Sequence, residues 1–164
     1  DANPSAKLPY TYPQHEGGIW TYDHQLSDER DVNFGLNGFT PQYEFGYGLS
    51  YTTFEYSDIT LSSDSVSTKD TISVTFEITN TGSVKGKEAA LLFVSDEVAS
   101  ISPAVKRLKR FTKVDLEPGE TKTINFKLSV DDLKFVDKSN KWVAETGFFT
   151  LAVDNKTARF YLSK

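Results

Sequence analysis

Residues 71–80 read TISVTFEITN, and this stretch decides the fold. Ile72, Val74, Phe76 and Ile78 alternate with Thr71, Ser73, Thr75 and Glu77. Successive side chains of a strand point to opposite faces, so this period of two predicts a strand with one face buried and one wet. Residues 121–128, TKTINFKL, repeat the device, with Ile124, Phe126 and Leu128 facing in and Thr123, Asn125 and Lys127 facing out. Ala89–Val94, AALLFV, is apolar on both faces and suits a central strand.

Phe54–Leu61, Arg107–Leu116, Phe148–Val153 and Ala158–Leu162 supply further strand-like runs. Between the runs lie turn signals at Asn80-Thr81-Gly82, Pro118-Gly119, Glu145-Thr146-Gly147 and Asp154-Asn155. About seven short strands with regularly spaced turns and no helical stretch predict an all-β fold, an antiparallel β-sandwich of the immunoglobulin or fibronectin type III sort. The chain has no Cys, so the disulfide of true immunoglobulin domains is absent and fibronectin-like is the better description.

The first third is different in kind. Residues 1–56 hold seven of the eight tyrosines, four of the six prolines and six of the ten glycines, but only Ile19 and Val32 among β-branched aliphatics. Pro4, Pro9, Pro13 and Pro41 interrupt any helix or central strand. Disorder goes with few aromatics, so the sequence predicts ordered, irregular chain pinned by aromatic rings to a neighbouring surface. An irregular stretch of that length is unusual within one domain, which places part of that surface outside this sequence. The chain has no Met and starts at Asp1, in keeping with a processed chain or the tail of something longer.

Composition narrows the function. With no Cys there is no thiolate metal site and no cysteine nucleophile. The net charge is −5, and residues 1–56 set Lys7 and Arg30 against eight acids, so nucleic acid is not an expected partner. No apolar run is long enough to span a membrane. His15 and His24 lack metal-ligand spacing, and no cofactor motif is present: Gly46-Tyr47-Gly48 has no third glycine and no helix behind it. Ser50 lacks the strand-to-helix elbow of a nucleophilic serine. Asp28, Glu29 and Asp31 are adjacent carboxylates on polar coil, which keep a surface wet rather than flank a cleft. The basic run Lys106–Arg110 with Lys113 reads as an edge strand guarded by charge, because alternation scatters the charges over two faces. Asn155-Lys156-Thr157 fits a glycosylation triplet, a pattern near chance in a chain of this length. Trp142 is assigned to the sandwich core.

The remaining candidates are contact residues. Trp20, Tyr22, His24 and Tyr47 could touch carbohydrate or another domain, since flat rings with one polar end serve both purposes.

Four motifs together carry a resemblance. Asn3–Pro13 (NPSAKLPYTYP), Tyr43–Phe54 (YEFGYGLSYTTF), Val105–Phe111 (VKRLKRF) and Leu116–Lys122 (LEPGETK) resemble, in order and distance, the C-terminal end of glycoside hydrolase family 3 enzymes, the β-glucosidases and their relatives. Ala6 stands where the family usually has Gly. The resemblance implies that residues 1–55 are the end of an α/β sandwich domain plus a connecting segment, and 56–164 a fibronectin type III-like domain. Phe45–Tyr51 would be the seam between them, its glycines allowing tight bends. In the family a barrel carries the Asp nucleophile and the α/β sandwich usually carries the acid. Neither motif has a counterpart here, so no catalytic residue, metal or cofactor is carried across. The implied role is non-catalytic: stabilising the catalytic domains of a parent that hydrolyses terminal β-linked glucose, secreted or periplasmic. The rival readings are an independent carbohydrate-binding module for β-glucan or oligosaccharide and an adhesion-type fibronectin domain.

Overall fold

The computed structural model describes residues 2–16, 21–25 and 41–164. Regular structure starts at β1 (Phe54–Tyr56), β2 (Thr60–Leu61) and β3 (Ser65–Ser67). The long strands follow: β4 (Thr71–Asn80), β5 (Gly86–Asp96), β6 (Arg107–Leu116) and β7 (Thr121–Ser129). A helical turn α1 (Val130–Leu133) leads to β8 (Phe135–Val136) and β9 (Trp142–Val143), and β10 (Gly147–Val153) and β11 (Lys156–Ser163) close the chain.

Two sheets face one another. In the first, β4 pairs with β7 on one side and, on the other, with β1 at its end and β2 nearer its start. The second runs β3-β11-β10-β5-β6, antiparallel except for the β3–β11 pair. This is the expected β-sandwich. Alternation sets its inner face: Ile72, Val74, Phe76 and Ile78 of β4, with Ile124, Phe126 and Leu128 of β7, pack against Leu92, Leu151, Phe149 and Phe160. At roughly 25 cal/mol per Å² of apolar area removed from water, this shared core is what holds the sheets together.

The expected central strand is β5, between β10 and β6, and the basic run lies on β6 at the sheet's edge. A bulge between Leu92 and Phe93 leaves Lys109 without an opposite residue. Arg110 turns toward the first sheet, where Nε donates to the Lys127 carbonyl (3.1 Å) and the guanidinium grips both Asp132 oxygens (2.7 Å each). The charges are thus dispersed, one of them bracing the two sheets.

Three details depart from the sequence reading. The run Phe54–Leu61 is two strands, β1 and β2, bound to different parts of β4. The helical turn α1 was not foreseen; its Asp132 accepts from the Ser129 N–H (2.8 Å), which fastens the turn's start. Trp142 is not in the core but 69% exposed. The β8–β9 ribbon explains why. Phe135 opposes Val143 and Val136 opposes Trp142, and because Phe135 takes the buried face, alternation turns Val136 and Trp142 outward.

Candidate functional site

Described residues before β1 lie against the outer side of β5, where Phe45 meets Phe93 and Gly46 lies beside Leu91. They are held by main-chain pairing of their own two limbs: Leu8 N–H to the Tyr47 carbonyl (2.8 Å), Gly46 N–H to Leu8 (2.9 Å) and Tyr12 N–H to Tyr43 (2.8 Å). Irregular, proline-punctuated sequence cannot enter the sheets, but two short extended limbs can satisfy each other.

Three anchors tie these limbs to the sandwich. Phe45 sets its ring edge-on to Phe93 at 5.2 Å. Beside it, Gly46 has φ +91°, and a Cβ there would meet Leu91 Cδ1 at 3.2 Å, so a side chain would be both strained and crowded. Lys7 pairs with Glu88, which also accepts from the Tyr56 hydroxyl (2.7 Å). Burial, with the Glu88 carboxylate alongside, pushes the Tyr56 phenol far up, which keeps it a donor. Asn3 is the third anchor: Oδ1 accepts from Tyr51 N–H (2.8 Å) and Ser50 Oγ (3.1 Å), and Nδ2 donates to the Lys85 carbonyl (3.1 Å).

The seam itself turns on Asn80, which is fully buried. Its Oδ1 accepts from Thr52 Oγ1 (2.7 Å) and Gly82 N–H (3.1 Å), and Nδ2 donates to the Val84 (2.8 Å) and Leu116 (3.0 Å) carbonyls. A Cβ on Gly82 would fall 2.1 Å from Thr52 Oγ1 and 2.9 Å from Thr53 N, so only glycine lets the seam close.

The tyrosines of the limbs are less covered, and Tyr43 and Tyr47 line a cavity together with Leu91 and Phe93 of β5. Tyr10, Tyr12, Tyr43 and Tyr47 form a ladder with ring centroids 6.2, 6.1 and 4.5 Å apart, the last pair stacked. All four stay substantially exposed, as do Leu49 and Tyr51 at the seam. Such a row of half-wet tyrosines combines large apolar area with a hydroxyl at the rim.

Of the four residues singled out from sequence, Trp20 lies outside the described residues, as do Asp28, Glu29 and Asp31. Tyr22 is exposed and packs on Phe45 at 5.4 Å, while Tyr47 belongs to the ladder. His24 is buried, and its carbonyl accepts from the Val105 N–H (2.9 Å). Sequence reading missed Phe45 as the anchor and Tyr10, Tyr12 and Tyr43 as partners of Tyr47. Their one signal was tyrosine density, which does not say which ring faces which.

Residues 88–157 match the family described as fibronectin type III-like domain. The chain is 40% identical to a periplasmic β-glucosidase of Salmonella typhimurium over 97% of its own length, and 39% identical to a β-xylosidase of Formosa agariphila over 93%. In each case it spans 22% of the relative. A solved β-glucosidase from Erythrobacter marinus superposes with a TM-score of 0.88 at 32% identity, covering 98% of this chain and 22% of that one. The chain is therefore the counterpart of the C-terminal, fibronectin type III-like segment of glycoside hydrolase family 3 enzymes, the family to which these β-glucosidases and β-xylosidases belong.

Proposed function

We propose that this chain is the non-catalytic C-terminal portion of a β-glucosidase-like glycoside hydrolase, and that its tyrosine ladder docks on the parent's catalytic domains. On this reading residues 1–55 end an α/β sandwich domain and connect it to the β-sandwich of residues 56–164. The parent, exported to a periplasmic or extracellular space, removes terminal β-linked glucosyl residues by the two-carboxylate route. One observation supports the reading: the limbs are anchored to the sandwich by Phe45, Lys7 and Asn3, while Tyr10, Tyr12, Tyr43 and Tyr47 keep 38–45% of their surface exposed. Among the described residues, no group of three or more metal-ligating side chains converges, and no helix is long and apolar enough to cross a membrane.

Contact with free carbohydrate, through Trp20, Tyr22 or Tyr47, is the rival use of the same rings. The stacking of Tyr43 on Tyr47 spends one face of each ring on its neighbour, which favours docking over sugar stacking. The experiment is to produce the parent with and without Tyr12→Ser, Tyr43→Ser and Tyr47→Ser combined. Docking predicts an intact chain whose β-glucosidase activity decays faster on warming. Turnover of a nitrophenyl β-glucoside by the 164-residue chain alone, persisting through purification, overturns the non-catalytic reading. Retardation of the chain in a β-glucan gel, abolished by Tyr47→Ala, overturns docking in favour of a carbohydrate module.

A further inference from the structure

Away from the ladder, a small cavity of about 30 Å³ lies between the end of the second sheet and α1. Asp96, Arg107, Lys109 and Asp132 line it beside Ala104, Leu133 and Phe149. Asp96 Oδ1 accepts from the Val98 N–H (3.2 Å), but among the described residues no hydrogen bond reaches its buried Oδ2. The same is true of Arg107 Nε, whose nearest carboxylate oxygen, on Asp23, is 3.6 Å away. The residues that carry these two buried polar atoms, an acceptor and a donor, both line the cavity. Unmet, each would cost a sizeable fraction of a domain's small net stability. The volume suits one water molecule.

We propose that this cavity is a binding site for a single internal water, which accepts from Arg107 Nε and donates to Asp96 Oδ2. Its place gives it a task. Residues 23–25 dock on the loop just above it: Val105 N–H donates to the His24 carbonyl (2.9 Å), and Gln25 Nε2 donates to the Ser102 carbonyl (3.1 Å). Ala104, which pairs with Gln25, lines the cavity. A water joining Asp96 at the end of β5 to Arg107 at the start of β6 spans the base of this loop and holds its docking edge in position. Burial raises the Asp96 pKa, as a carboxylate short of polar contacts requires, and a bound water tempers that penalty.

The test is a crystal structure of the 164-residue chain at a resolution showing ordered water, paired with amide exchange. A water oxygen within about 3.2 Å of both Asp96 Oδ2 and Arg107 Nε is the expected result. Asp96→Asn, which keeps an acceptor, should retain the water, whereas Asp96→Leu should expel it. The Leu variant should also speed exchange at Val105 N–H about tenfold while the β4–β7 amides stay protected. An empty cavity, or Asp96 and Arg107 in direct contact in the unmodified chain, overturns the site even if the Leu variant fails to fold. Unchanged Val105 exchange after loss of the water overturns its bracing role.

Discussion

In the sandwich, Phe76, Phe149 and Phe160 have almost no ring surface in contact with solvent; in the limbs before β1, Tyr10, Tyr12, Tyr43 and Tyr47 are 38–45% exposed. The two regions use aromatic residues for different ends. Within the sandwich each ring completes a core already closed by a facing sheet. In the limbs a few side chains complete the packing, and the tyrosines stay partly open to solvent. The lesson is that the segment's order comes from its anchors, not from the rings that dominate its composition.

The widest separation between the regions should appear on truncating single rings. Phe149→Ala removes a fully buried ring between the sheets and should cost about 3–5 kcal/mol in urea unfolding of the chain. Tyr47→Ala, in the same experiment, should cost under about 1 kcal/mol, since a half-exposed ring loses little burial. Equal costs would erase the distinction.

Lys7→Met probes the anchors. Among the described residues it leaves the buried Glu88 carboxylate only the Tyr56 hydroxyl as a hydrogen-bond donor, and it should cost about 2 kcal/mol. Exchange at Leu8 and Gly46 should rise with it, because the limbs loosen where they were tied. Stability unaffected by Lys7→Met would mean that Phe45 and Asn3 hold the limbs without it.

A smaller effect concerns acid. Burial pushes the Asp132 carboxyl up, but the Arg110 guanidinium and the Ser129 N–H outweigh it and hold the group below the usual carboxylate range. A depressed carboxylate contributes stability that is fully present above the unfolded-state pKa, about 4, and is lost as pH falls through the folded value. Asp132→Asn should therefore lower the urea midpoint at neutral pH and flatten its decline below about pH 4. An acid limb identical in both chains would remove Asp132 from the sheet-bracing contact.

Legibility in the sequence followed element length. β4 and β7 were plain because six or more residues of strict alternation name both the strand and its buried face. β5 was plain as central because it is apolar throughout its middle. Strands of two or three residues carry no period, so β3, β8 and β9 were not foreseen and the break between β1 and β2 was invisible. Trp142 was misplaced for the same reason: only its pairing opposite Val136 tells which way it points.

By itself, the sequence determined the sandwich, its inward faces and the likeness to glycoside hydrolase family 3, since periodicity, turn residues and spaced motifs are local properties. Tertiary structure alone decided that Phe45 is an anchor and Tyr47 is not, that Lys7 meets Glu88 across the seam, and that Asp96 and Arg107 share a cavity. Those outcomes depend on which segment covers which face. Alternation distinguishes the two faces of a strand, but only packing in three dimensions chooses the neighbour each one receives.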